Sequence, residues 1–129
     1  MPSIFSRIVA GEIPCHKIAE DDRFLAFLDI QPLAEGHTLV IPKLEVDRYF
    51  DLPDDLLRDI NFFARDVALQ LERAIHCERV GVAVIGLEVP HAHVDLIPLN
   101  GVADINFERP KLDVSQDDLA ASAAKIRQA

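Results

Sequence analysis

The sequence predicts an α+β fold on an antiparallel sheet, and three observations predict it. One long segment keeps apolar residues at helical spacing: Leu56, Ile60, Phe63, Val67 and Leu71. Short β-branched or alternating runs are separated by tight turns. No strand–helix–strand alternation recurs, which argues against a parallel doubly wound sheet and for a meander-like antiparallel one. A chain of 129 residues, 50% hydrophobic and 27% charged, is expected to form a single domain over residues 1–129. At that size the core needs no disulfide or metal staple.

The elements follow in order. Ile4, Phe5, Ile8 and Val9 share one face of a short helix over residues 3–10, with Gly11 as its stop. Residues 16–20 read as a short strand turning at Asp21-Asp22. Residues 23–30 read as its hairpin partner, with Phe24, Ala26, Leu28 and Ile30 on one face and Leu25, Phe27 and Asp29 on the other. Thr38-Leu39-Val40-Ile41, closed by Pro42, is a buried strand. Pro53, Asp54 and Asp55 suit the first turn of the long helix, where proline loses no hydrogen bond and carboxylates meet the positive dipole end. Residues 80–85 and 91–98 complete a set of five strands. Ser115, three residues before Asp118, starts a tail helix over about 115–128 striped by Leu119, Ala123 and Ile126.

Charge narrows the function classes. Lys and Arg number 13 against 22 Asp and Glu, a formal net charge of −9. Such a surface lacks the basic footprint of a nucleic-acid binder and is repelled by anionic membranes. No run approaches the roughly 20 apolar residues of a membrane span. The first residues, Met1 to Arg7, reach a charge too early for a signal-peptide core. Cys15 and Cys77 are isolated and read as reduced thiols, so a cytoplasmic location is expected.

The informative segment is Val89-Pro90-His91-Ala92-His93-Val94-Asp95-Leu96-Ile97-Pro98. Read as one strand, it puts His91, His93 and Asp95 on a common face. Two imidazoles and a carboxylate in line admit three readings. They are a polar strand face with satisfied histidines, a metal site, or phosphate chemistry on a nucleophilic histidine. The metal reading lacks a histidine after the aspartate, where Leu96 stands, and has only His16, His37 and His76 as further imidazoles.

His91-Ala92-His93-Val94-Asp95-Leu96-Ile97 resembles the signature of the histidine triad (HIT) superfamily, with Asp95 in the third histidine position. The segments 4–14, 24–30, Gly36-His37-Thr38-Leu39-Val40-Ile41-Pro42-Lys43 and Gly86-Leu87-Glu88-Val89-Pro90-His91 are similar to further motifs of its Hint-like branch, so the motif-bearing core covers about residues 4–98. The resemblance implies a homodimer with one continuous sheet. It also implies a hydrolase that cleaves purine nucleotide derivatives at the α-phosphate through a nucleotidyl-histidine intermediate, without a cofactor. The substrates would be phosphoramidates or dinucleoside polyphosphates. His93 matches the nucleophile, His91 a residue fixing the neighbouring tautomer, and His37 a supporting histidine. Asp29 matches the carboxylate that accepts the ribose hydroxyls. Phe5, Ile8, Ile13, Phe27 and Ile30 match apolar positions around the base, and Glu88 a position near the phosphates.

Two departures bear on the chemistry. Relatives with structural zinc carry cysteines and a histidine where Ser3, Ser6 and Glu45 stand, so no structural zinc is expected. Asp95 has no proton to donate when ionised, and unit charges near 4 Å repel by about 4 kcal/mol at an effective dielectric near 20. From the shared strand face, Asp95 is expected to favour the imidazolium of His93 and to slow transfer. A catalytically weak nucleotide-binding or interaction module of the same fold is the alternative.

Overall fold

The computed structural model describes residues 2–129; Met1 lies outside them. The elements are α1 (Ile4–Val9), β1 (Lys17–Glu20), β2 (Phe24–Leu28), β3 (Thr38–Pro42), α2 (Asp54–Ala74), β4 (Arg79–Ala83), β5 (Val94–Leu99) and α3 (Gln116–Arg127). Short 3₁₀ turns lie at Tyr49–Asp51 and Val102–Ile105. The five strands form one antiparallel sheet in the order β1-β2-β3-β5-β4.

The expected meander therefore holds for three strands and then breaks. The reason is α2. Its 21 residues, at about 1.5 Å each, carry the chain across a full sheet face before β4 can form. β4 becomes an edge, and β5 returns between β3 and β4. At the β1–β2 turn, Asp21 Oδ1 accepts from the amides of Arg23 and Phe24, both at 2.8 Å.

The period of two in the strands sorts the core into two layers. Phe24, Ala26, Leu28, Val40, Val94 and Leu96 pack with Leu56, Ile60, Ala64, Val67 and Leu71 of α2 and with Leu119, Ala123 and Ile126 of α3. The other face carries Leu25, Phe27, Leu39 and Ile41 beneath Phe5 of α1. β2 is buried on both faces for this reason. In α2 the inward position expected of Phe63 is shared: Ala64 is buried, and Phe63 is half-buried against Phe24 at 5.5 Å between rings. Ser115 Oγ accepts from Asp118 N at 3.0 Å and caps α3. Among the described residues no helix is long and apolar enough to cross a membrane.

Candidate active site

The face bearing α1 also carries the site. The strand expected over residues 91–98 begins only at Val94. Pro90 has no amide hydrogen to offer a ladder, and β4 ends at Ala83, which pairs with Asp95. Residues 91–93 thus lie beyond the end of β4. His91 N donates to Val89 O at 2.8 Å, and Ala92 N to Val46 O at 2.7 Å. Alternation still carries back to His91: Ala92 packs with Val94 and Leu96 in the α2 layer, while His91 and His93 lie against Phe5 on the other face, and the three polar side chains have different partners.

His91 is fully buried. Its Nε2 meets Pro42 O at 2.8 Å, and a carbonyl only accepts, so Nε2 carries the hydrogen. Nδ1 then accepts from Ser3 Oγ at 2.7 Å. Burial holds the imidazole below its ordinary pKa, which favours this neutral form. His93 is half-buried, and its Nδ1 donates to His91 O at 2.7 Å. The neutral ring is left with its lone pair on Nε2. The tautomer-fixing role expected of His91 corresponds to a contact made by its main-chain carbonyl. Phe5 presents itself edge-on to both rings, at 5.8 Å and 5.1 Å, and to Phe27 at 5.6 Å.

A second polar group forms around His37, which is 1% exposed. Leu33 N donates to its Nδ1 at 3.0 Å, so Nε2 bears the hydrogen and donates to Asp95 Oδ1 at 2.8 Å. Asp29 Oδ2 lies 3.6 Å from the same Nε2. Asp29 follows directly on β2, and its Oδ1 accepts from Gln31 N at 2.8 Å. Burial pushes the Asp29 carboxyl up, while the Gln31 amide and His37 pull the other way. Phe107 lies edge-on to His37 at 5.9 Å. Asp95, 3% exposed, is therefore partnered by His37 and not by His93. Asp95 thus has a hydrogen-bond partner of its own in His37, beside the influence on His93 expected from the sequence.

One ligand atom each from Asp29, His37 and Asp95 lie within 4.8 Å of one another. The imidazole does not fit a metal there, because the nitrogen facing the carboxylates carries its hydrogen and the lone pair is held by Leu33 N–H. The positions of the zinc ligands in relatives hold two hydroxyls and a carboxylate, a donor set unlike the thiolate-rich one zinc favours.

The remaining expected residues divide. Phe5 and Phe27 are buried together, and Ile8 packs at their rim with Cys15. Ile13 is half-buried. Ile30 is 61% exposed and Glu88 is exposed, so neither is drawn into these groups. A cavity of about 50 Å³ adjoins Asp29, His37, Leu28, Pro32 and Leu112. A cleft of about 180 Å³ lies beside His93 between residues 47–50 and 84–86. Sequence reasoning missed Phe107, Leu33 N–H and the partnering of Ser3. Ser3 is legible as a helix cap, but its partner lies 88 residues away.

One antiparallel sheet thus carries a histidine pair at the head of one inner strand and a carboxylate at the end of another. The HIT domain pattern matches residues 10–102, and the chain belongs to the HIT family. It is 40% identical over 100 residues to the adenosine 5'-monophosphoramidase HNT1 of Saccharomyces cerevisiae, covering 74% of this chain and 61% of that one. The match therefore spans less than two-thirds of that relative. It is 33% identical over 132 residues to the adenosine 5'-monophosphoramidase hnt1 of Schizosaccharomyces pombe, covering 98% and 96%. The crystal structure of a Hit-like protein involved in cell-cycle regulation from Bartonella henselae, with an unknown ligand, superposes with a TM-score of 0.85 at 28% identity, covering 98% of this chain and 95% of that one.

Proposed function

We propose that this protein is a nucleotidyl hydrolase that cleaves purine nucleoside phosphoramidates at the α-phosphate, with His93 as nucleophile. The observation that carries this reading is the His93 Nδ1–H bond to the His91 carbonyl, which leaves the Nε2 lone pair free to attack. The two relatives named as adenosine 5'-monophosphoramidases supply the substrate class. In the first step a bond forms from Nε2 to phosphorus and the P–N bond breaks. The departing nitrogen keeps the electron pair and takes a proton from solvent. In the second step water attacks phosphorus, His93 leaves with its lone pair restored, and the proton passes to solvent. Asp29 accepts from the ribose hydroxyls, since an ionised carboxylate is acceptor-only and a vicinal diol offers two donors. Phe5 and Phe27 pack near the base.

Single-turnover labelling with adenosine 5'-phosphoramidate tests it. Wild type should yield an adenylyl adduct on His93 by mass spectrometry, and His93→Ala none, with AMP binding retained. A second reading has a specific observation behind it: the third triad position is a carboxylate engaged by His37, so no third histidine donates to the phosphate. Tight AMP binding without an adduct in wild type would favour that non-hydrolytic module.

A further inference from the structure

The contacts of α1 extend the site beyond the two histidines. Ser3 Oγ stands at the N-cap of α1, where it accepts from Ser6 N at 3.0 Å. Its hydrogen is spent on His91 Nδ1, because Nε2 of that ring already donates to Pro42 O. Ser3 N and Ser6 Oγ both donate to Glu45 Oε1, at 2.7 Å and 2.6 Å. Glu45 follows β3, so its carboxylate ties that loop to the start of α1. These two donors, the Ser3 amide first, hold the Glu45 carboxyl below its ordinary value. Four residues from three distant segments thus close one hydrogen-bonded cluster, and Ser3 and His91 within it are 6% and 0% exposed.

We propose that Ser3 is a positioning residue for His93, acting through His91, in a cluster that does by hydrogen bonds what a tetrahedral metal does by ligation. The ring of His91 is held at both nitrogens by groups of opposite sense, a hydroxyl donor and a carbonyl acceptor. That leaves the ring one tautomer and one orientation. The main chain of His91 is then fixed, and its carbonyl holds His93 Nδ1–H. The same hydroxyl caps α1, whose Phe5 ring touches both imidazoles. A metal at this place would need Nδ1 of His91 as ligand and would displace Ser3. The hydroxyl pair makes that exchange unfavourable, and the neutral Nε2–H tautomer of His91 survives without it.

The inference rests on the proposed role of His93 for its kinetic arm but not for its spectroscopic arm. In ¹⁵N-detected imidazole NMR of the wild type at neutral pH, His91 should be protonated at Nε2 and His93 at Nδ1. Ser3→Ala should leave the His91 hydrogen on Nε2, where Pro42 O holds it, but shift the His91 Nδ1 resonance as that nitrogen loses its donor, and shift the His93 Nδ1–H resonance. Ser3→Thr, which keeps the hydroxyl and the cap, should restore both. In adenylylation of His93, Ser3→Ala should lower the single-turnover rate about tenfold with AMP affinity within about twofold, and Ser3→Thr should recover it. A His91 hydrogen on Nδ1 in wild type would overturn the proposal even if Ser3→Ala fails to fold. So would a folded Ser3→Ala protein with unchanged His91 and His93 resonances. Failure of the wild type to form any adduct, with the resonances behaving as expected, would strike at the hydrolase reading and leave the positioning role standing.

Discussion

In the ribose-binding role proposed for it, Asp29 accepts both hydroxyls best as the ionised carboxylate, yet burial raises its pKa. Binding of a ribonucleoside should therefore hold constant above that raised value and fall as pH drops through it, starting above the ordinary carboxylate range near about 4. A 2',3'-dideoxynucleoside should show no such step. Asp29→Ala should weaken the ribonucleoside by about 1.5–3 kcal/mol and the dideoxy analogue far less, as measured by titration calorimetry. The unliganded protein follows the opposite sign. A carboxyl raised in the folded state contributes stability below its unfolded pKa and loses it as pH rises through the folded value. Asp29→Asn should accordingly raise the Tm at neutral pH, with the gain vanishing in acid. Asp95 is a different case, since it satisfies the buried Nε2–H of His37. Asp95→Ala should cost about 1–3 kcal/mol in urea unfolding by orphaning that donor, whereas Asp95→Asn keeps an acceptor and should cost less. Equal losses for the two variants would mean that the hydrogen bond does not carry the effect.

At the scale of elements, the site depends on how strands end. Gly36 leads into His37 with φ of +90°, a conformation side chains disfavour. A Cβ there would stand 3.1 Å from Ile75 Cγ1 and 3.3 Å from Pro98 Cγ. Gly36→Ala should destabilise the fold by about 1–3 kcal/mol in chemical denaturation and disturb the His37 contacts. A change below about 0.5 kcal/mol would show that the turn relaxes freely. The same dependence explains a misreading. Residues 91–98 alternate as a strand should, but the ladder begins at Val94 against Val40 and at Asp95 against Ala83, so three residues of the expected strand precede it. The long helix, the β2–β3 hairpin and the capped α3 were legible because each is specified by local spacing and end signals. The start of β5 was not, because it is set by pairing with strands distant in the sequence.

The whole molecule has two unequal sheet edges. β1 is guarded: Arg127 of α3 donates to Lys17 O at 2.6 Å. On β4, Glu72 of α2 accepts from Val80 N at 3.1 Å, but Val82 is 60% exposed, with Ile85 and Leu87 beyond it at 46% and 88%. An open apolar edge invites pairing with another strand. We infer that two copies join at β4 into one continuous sheet. Analytical ultracentrifugation at micromolar concentration should give a dimer, and Val82→Lys should shift it toward monomer. A monomeric wild type would refute the pairing. The net charge of −9 sets a further condition on this scale, since an anionic substrate must be held by local donors such as imidazole and amide N–H groups against the field of the molecule.

The sequence by itself determined which face of each helix and strand is apolar, where the capped helices begin, and which residue types are available for phosphate and ribose chemistry. These are properties of near neighbours, written in periods of two and 3.6 and in end signals. Only the tertiary structure decided the partners. It placed Ser3 on His91, His37 on Asp95 and the His91 carbonyl on His93. It thereby fixed which ring nitrogens carry hydrogen and gave Asp95 a partner in His37. The physical reason is that a tautomer depends on what faces each nitrogen. For His91 and His37, groups 88, 58 and 49 residues distant meet the rings only when the strands have paired.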